Sequence, residues 1–207
     1  MPHGWLQCLF EIVPGAPRAS DFGVWQAGVM RFLVLLCALV PAVCAQESRH
    51  EVTNSIGAAD ARENSNSVPD VYAVPTQFER VLIFRFKYQV DLLAGLEQMV
   101  KQNKIKNAVI LAGAGSVRGY QVHQVSNRTF PSKNMFVKDP TAPADLISMN
   151  GYIMDGRIHA HVTLANPDKA FGGHLEPGTS VFTFAIVTVG VLPDGLDLSK
   201  LDDKSYR

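Results

Sequence analysis

The chain has 207 residues, and its 19 lysines and arginines balance 19 aspartates and glutamates, so its formal net charge at pH 7 is zero. A neutral chain has no electrostatic footprint for phosphate backbones, which argues against a nucleic-acid partner. About 120 residues, 77–192, are enough for one compact domain. Residues 46–76 are polar and are predicted to be a flexible linker, and residues 193–207 a surface-bound or frayed tail.

Residues 30–45 have the three parts of a secretory signal peptide. Arg31 supplies the positive charge, an apolar run follows, and Val43 and Ala45 precede a predicted cut before Gln46. The apolar run spans roughly a dozen residues, whereas a transmembrane helix needs about 20. We therefore predict a secreted or periplasmic mature chain with no membrane span.

Residues 1–29 stand before the segment at which a signal peptide should begin. We interpret Met30 as the true start and residues 1–29 as a mis-assigned extension. A lipoprotein anchor at Cys44 is the alternative, but the preceding valine is bulkier than the small residue such processing uses. The mature chain would then contain none of the three cysteines, which are Cys8, Cys37 and Cys44.

The first predicted elements of the domain are a strand and a helix. Residues 79–88 are rich in β-branched and aromatic side chains, as is typical of a strand. Asp91 can cap a helix that begins at Leu92, because an apolar stripe with helical spacing follows it. Asn103 and Lys104 stand where that helix should end.

A glycine-rich segment occupies the middle of the domain. Residues 108–112 predict a short buried strand that enters a turn at 113–119. No Lys-Ser/Thr pair and no helix follow, so these glycines are interpreted as a bend or bulge rather than a phosphate loop. Residues 120–125 predict the next strand, and the polar segment 132–144 predicts a loop.

The second half of the domain is predicted to be β-rich. Strands at 146–153 and 157–165 should form a hairpin around a two-residue turn, Asp155-Gly156. A further turn precedes a long β-rich run at 179–191. One helix and six or seven strands with short connections predict an α+β fold, a largely antiparallel sandwich rather than a doubly wound parallel sheet.

Three of the six histidines lie close together in the sequence. His159 and His161 share one face of a predicted strand, because side chains on a strand alternate. The pair Gly172-Gly173 allows a close backbone approach that could aim His174 at that strand. Three neutral imidazoles around one point can bind a divalent metal and leave a position open. A solvated polar face is the simpler alternative.

Without cysteine in the mature chain, an imidazole and carboxylate site suits zinc, manganese, nickel or iron, with zinc preferred. His123, Glu176 and Asp155 could support the ligands, accept a proton or face a bound molecule. Each of them could equally be an ordinary solvent-facing or turn residue.

The spacing of glycines and histidines resembles the plants-and-prokaryotes-conserved (PPC or PCC) domain, from about Phe84 to Val191. That resemblance implies a compact domain with a mainly antiparallel sheet that assembles as a homotrimer. In prokaryotic members three histidines are taken to form a metal site. The residues that carry the resemblance are Gly151, Gly156, His159-Ala-His161, Gly172-Gly-His174-Leu and Gly178, and the three metal positions are His159, His161 and His174.

Three functions are compatible with this sequence. The first is a secreted protein that binds a divalent metal and, at the open metal position, a small ligand. The second is a metal-dependent hydrolase or lyase in which Glu176 or His123 acts as base. The third is a DNA-binding or assembly module like the plant proteins. The chain has no AT-hook and no basic tract, so it does not favour this third function.

Overall fold

The computed structural model describes residues 46–53, 69–198 and 201. The predicted extension and signal peptide, residues 54–68 of the predicted linker, and residues 199–200 and 202–207 of the predicted tail lie outside these residues. Within them the chain forms one helix and an eight-stranded sheet in which all neighbouring strands are antiparallel. The elements are β1 (Ser48–Thr53), β2 (Arg80–Lys87), α1 (Leu92–Gln102), β3 (Ala108–Val125), β4 (Lys133–Asp139), β5 (Ala144–Met154), β6 (Arg157–Ala165), β7 (Ala170–Leu175) and β8 (Ser180–Val191).

The predicted fold class, α+β with a mainly antiparallel sheet and one main helix, is confirmed. The predicted sandwich is not found, because all eight described strands belong to one sheet and not to two separate sheets. The sheet path runs β3-β5-β6-β7, and β7 pairs with β3 again, so these four strands close into a ring. This closure brings together strands that are distant in the sequence, and the histidines lie on three of them.

The long strand β3 is the centre of the sheet. Its first part pairs with β5 and β8, and its second part pairs with β4 and β7. The glycine-rich segment 113–119 lies inside this strand, so the predicted turn between two strands is wrong. The register against β8 shifts at three places in or beside this segment, which agrees with the predicted bend or bulge.

The helix α1 packs its apolar stripe into the core. Leu92 and Leu96 are fully buried, in one cluster with Phe86 of β2. The Asp91 side chain accepts a hydrogen bond of 3.0 Å from the backbone of Ala94 and so caps the helix as predicted. Asn103 ends it, also as predicted.

Two strands occupy segments whose polar composition predicts irregular structure. Lys133–Asp139 forms β4 within the predicted loop, and Ser48–Thr53 forms β1 within the predicted linker. Both are strands because of backbone pairing: β4 lies between β3 and β1. All six residues of β1 are exposed, so no hydrophobic alternation marks it in the sequence.

The hairpin between β5 and β6 has the predicted two-residue turn. Asp155 and Gly156 take φ values of 52° and 74°, the left-handed conformation of the hairpin turns that match strand twist. The backbone N–H of Asp155 donates to the side chain of Asn107. None of the described helices is long and apolar enough to cross a membrane.

Candidate metal centre

The registers of three strands align three histidines in one row. His123 of β3 lies opposite His174 of β7, and His174 lies opposite His161 of β6. His159 precedes His161 by two residues and lies on the same face of β6, while Ala160 between them is buried. The fold therefore brings together the three predicted metal ligands and adds His123 to them.

The four rings contact one another directly. The Nε2 atoms of His159 and His161 are 3.2 Å apart. The ring of His174 meets the ring of His159 edge-on, with centroids 4.9 Å apart, and meets that of His161 at 5.6 Å. On its other side it stacks on His123, with centroids at 4.6 Å and planes 22° apart. His174 is thus the central residue of the cluster.

Glu176 closes the cluster at the end of β7. Its Oε1 atom lies 2.6 Å from Nδ1 of His123 and 3.4 Å from Nδ1 of His174. Together these three residues offer ligand atoms within 4.8 Å of one another. A carboxylate in this position can orient an imidazole by accepting its Nδ1–H, which leaves Nε2 directed elsewhere.

One nitrogen of the cluster has an incomplete environment. Nδ1 of His174 is buried and makes no hydrogen bond, although Glu176 is within ion-pair distance. We regard this nitrogen as unsatisfied. Its contact with Glu176, at 3.4 Å and without hydrogen-bond geometry, compensates little for the hydration that Nδ1 loses on burial. A small shift of Glu176, or a bound cation that draws the rings together, would satisfy this atom.

Two of the imidazoles, His161 and His174, have a lowered pKa, which favours their neutral form. Desolvation, followed by the neighbouring charges of His123 and His159, lowers the pKa of His174 to about 4, and Glu176 opposes this only in part. Desolvation also lowers the pKa of His161, with His159 contributing next. Neutral imidazole is the form that coordinates a metal, so these two side chains can accept a cation near pH 7 without first losing a proton.

The glycine pair explains how His174 reaches its neighbours. A Cβ atom on Gly172 would overlap the carbonyl oxygen of Val162 on β6. A Cβ atom on Gly173 would overlap the carbonyl oxygen of His123 on β3. Residues without side chains at both positions let β7 lie between two backbones, and His174 follows directly.

The remaining predicted residues have other positions. Asp155 lies in the β5–β6 turn, four residues from His159 along the strand direction, which places it apart from the cluster. Gly156 belongs to the same turn, and Gly151 of β5 lies opposite Ala160. His123 and Glu176 were predicted in supporting roles, and the structure places both beside His174. Only strand pairing could reveal the place of His123, because 51 residues of sequence separate it from His174 and 53 from Glu176.

One ring beside the cluster, that of His50, was not predicted from the sequence. His50 of β1 stacks on Phe136 of β4, with centroids 5.1 Å apart and planes 16° apart. Phe136 in turn packs against His123 at 5.0 Å. The register of β1, β4 and β3 aligns these three side chains. No signal in a polar segment of the sequence could identify His50 as their neighbour.

One protein-family model matches the chain. Residues 74–193, more than half of the chain, match the family model of the Plants and Prokaryotes Conserved (PCC) domain. None of the curated proteins matches the chain.

Several solved structures are similar in fold. A hypothetical protein from Salmonella enterica is 24% identical, with 59% of this chain and 83% of that chain covered and a TM-score of 0.49. A plant- and prokaryote-conserved protein from Pyrococcus horikoshii is 24% identical, with 59% and 85% covered and a TM-score of 0.49. A metal-containing protein from Archaeoglobus fulgidus is 20% identical, with 59% and 86% covered and a TM-score of 0.47.

Proposed function

Because this chain belongs to the Plants and Prokaryotes Conserved (PCC) domain family, we propose that it is a metal-binding protein whose histidine cluster holds one divalent cation. The ligands are His159, His161 and His174. The observation that carries the proposal is the distance of 3.2 Å between the Nε2 atoms of His159 and His161. Two ligands of one tetrahedral ion, each about 2.0–2.1 Å from it, stand about 3.3 Å apart, so this pair needs little movement to bind.

Glu176 supports the third ligand. It is the nearest carboxylate to Nδ1 of His174, the buried nitrogen that makes no hydrogen bond. When Nδ1–H donates to this carboxylate, Nε2 becomes the coordinating atom and its basicity rises. Imidazole nitrogens are borderline ligands that suit zinc, and three of them leave a position for water or a small ligand.

A competing ligand set shares His174. His123, His174 and Glu176 lie close enough to surround one cation, since their ligand atoms are within 4.8 Å of one another. The two sets make different predictions. If His159 and His161 bind the ion, replacing either one weakens binding strongly, and replacing His123 weakens it less. If His123 and Glu176 bind it, the order of these effects is reversed.

The test is metal content and zinc affinity of the purified protein, measured by elemental analysis and chelator competition. We expect about one bound ion in the parent, a loss of 10–100-fold or more in affinity for His159→Ala and for His174→Ala, and parent-like affinity for the control Val71→Ala, whose side chain is 88% exposed. Near-zero metal in both the parent and the doubly substituted His159→Ala, His174→Ala protein would refute metal binding.

A second candidate function is hydrolysis at the same centre. The distance of 2.6 Å between His123 and Glu176 is that of an imidazole oriented by a carboxylate, an arrangement used for proton abstraction. A metal lowers the pKa of water at such sites. Turnover that is lost with chelator, and lost in His123→Gln while metal content is retained, would support this function. The neutral charge gives the DNA-binding alternative no comparable support.

We also propose that the protein is a homotrimer. The outward face of β2 and β8 supports an association between copies, because Ile83 is 72% exposed and Phe184 and Ile186 are also exposed. Ile186 lies opposite Arg85, diagonally next to Ile83, so these side chains form one patch. Soluble monomers rarely leave such a patch uncovered.

Secretion remains part of the proposal. It rests on the signal-peptide pattern of residues 30–45, which predicts a mature chain that begins at Gln46. Cell fractionation followed by intact mass measurement tests it. A peptide spanning Val24 to Arg31 in the secreted protein would contradict both the cut and the predicted start at Met30.

A further inference from the structure

The strand β1 lies outside the part of the chain that matches the family, residues 74–193, and yet it belongs to the sheet. Six consecutive residues, Ser48–Thr53, pair with β4. The side chains around this strand contact the two strands that carry His123 and His174, by two separate routes.

The first route starts at Glu47, immediately before β1. Its carboxylate accepts hydrogen bonds from the hydroxyl of Tyr120 on β3 at 2.8 Å and from the ammonium of Lys169 at 3.2 Å. Tyr120 is buried and packs on Phe171 of β7, with ring centroids 4.7 Å apart. The ammonium of Lys169 lies over the same ring, 5.3 Å from its centroid. Glu47 therefore joins β3 to the first residues of β7.

The charge of Glu47 is retained across the neutral range. Hydrogen bonds from Arg49, Tyr120 and Lys169 lower the pKa of Glu47 to about 2. The side chain of Glu47 is 22% exposed and that of Lys169 is 44% exposed, so solvent screens their ion pair in part.

The second route runs through His50. Its ring stacks on Phe136, Phe136 packs on His123, and His123 stacks on His174. Four rings from β1, β4, β3 and β7 thus form one continuous row. The plane of His123 is held from one side by this row and from another by Glu176.

We infer that residues 46–53 are a positioning segment for the histidine cluster, in which Glu47 fixes the start of β7 and His50 fixes the ring of His123 through Phe136. Both routes converge on His174: Phe171 lies three residues before it on β7, and His123 is its stacking partner. The inference goes beyond the proposed function, because it concerns the order of the cluster whether or not a metal is bound.

The experiment uses metal-free full chain and amide hydrogen exchange of residues 170–175. Glu47→Gln keeps the size of the side chain and removes its charge. The matched control is Glu51→Gln, which breaks the other carboxylate contacts of this strand, to Lys133 and Ser126, away from β7. We expect exchange in β7 to rise about tenfold in Glu47→Gln and less than twofold in the control. Lys169→Gln, which breaks the pair from the other side, should reproduce the effect of Glu47→Gln.

The second measurement follows the ring nuclei of His123 and His174 by NMR. His50→Ala should shift the His123 signals, His50→Phe should restore them because it retains a ring, and Val52→Ala should leave them unchanged. Equal exchange in β7 for Glu47→Gln and Glu51→Gln, or unprotected amides in β1 of the parent, would overturn the inference. Both measurements use metal-free protein, so they do not depend on metal binding. Failure of the metal proposal would appear instead in the metal content and the zinc affinity.

Discussion

At the scale of single residues, the candidate site depends on His174 and the glycines before it. His174 touches three other imidazoles, and its position requires β7 to pass between β6 and β3. Gly172 and Gly173 are adjacent to two different backbones, so each excludes a side chain for a separate steric reason. The Gly172-Gly173-His174 motif therefore both allows β7 to pack closely between its neighbours and supplies an imidazole to the cluster.

Substituting Gly172 should damage both the stability and the site. In Gly172→Ala the new Cβ would overlap backbone of β6, which cannot move as a flexible side chain could. We expect a loss of about 2–4 kcal/mol in the free energy of unfolding, together with weaker zinc binding. Denaturant unfolding and chelator competition measure these two effects.

Gly195→Ala is the control for this substitution, because no atom lies within 4 Å of the position of its Cβ. Its free energy of unfolding should stay within about 0.5 kcal/mol of the parent value. Equal stability of the two variants would show that β6 and β7 are not packed as closely as described.

At the scale of elements, the residue that caps α1 has one role that the sequence predicts and a second that only the tertiary structure shows. Asp91 caps α1 through Ala94, as its position before an apolar stripe predicts. Its second carboxylate oxygen accepts a hydrogen bond of 2.6 Å from the backbone of Gly178, 87 residues away. The cap thus also holds the turn before β8, which no local pattern indicates.

Two substitutions of Asp91 should separate these roles. Asp91→Ala removes both hydrogen bonds and should cost about 2 kcal/mol. Asp91→Asn keeps a good capping oxygen and loses the acceptor for Gly178, so it should cost about half as much. Urea unfolding of the two variants measures the difference. Equal losses would mean that the capping bond to Ala94 contributes nothing, and an Asp91→Asn protein as stable as the parent would mean that the bond to Gly178 contributes nothing.

Glu47, immediately before β1, should make the free energy of unfolding depend on pH in the acid range. Hydrogen bonds from Arg49, Tyr120 and Lys169 lower the pKa of Glu47 from 4.5 to about 2 on folding. A depressed pKa gives stability that is present above pH 4.5 and is lost as the pH falls toward 2. We expect a contribution on the order of 1–2 kcal/mol, allowing for partial exposure.

Unfolding measured in urea between neutral pH and about pH 2 tests this linkage. Glu47→Gln should be less stable than the parent at neutral pH, and the two should converge in acid. A constant difference at all pH values would show that the carboxylate is not charge-stabilised in the folded protein.

At the scale of the whole molecule, the outer face of the sheet carries both the histidines and the exposed apolar patch. His159 and His161 are exposed on β6, while Ile83, Phe184 and Ile186 are exposed on β2 and β8. Association through the patch would remove apolar area from water at about 25 cal/mol per Å². A charged side chain placed in this patch should therefore weaken the association of copies more than it lowers the free energy of unfolding of one copy.

Ile83→Lys should convert the proposed trimer to monomer at micromolar concentration, because an unpaired ammonium would be buried between copies. Light scattering coupled to gel filtration measures the mass. Val71→Lys is the control, since Val71 is 88% exposed and lies outside the patch. A parent protein that is monomeric, or a variant that remains trimeric, would contradict this interface.

The sequence by itself determined the features that depend on neighbours along the chain. Asp91 before an apolar stripe specifies the start of a helix, Asp155-Gly156 specifies a hairpin turn, and the alternation at His159 and His161 puts both rings on one face. These follow from local backbone geometry, which a few adjacent residues control.

Only the tertiary structure decided which distant strands are adjacent. The second pairing of β3 with β7 brings His123 to His174, and the pairing of β1 with β4 brings His50 into the same row of rings. Backbone hydrogen bonds make these pairings and are the same for every residue type, so a polar segment carries no signal of its partner. The position of Glu176 between two imidazoles follows from that closure of the sheet.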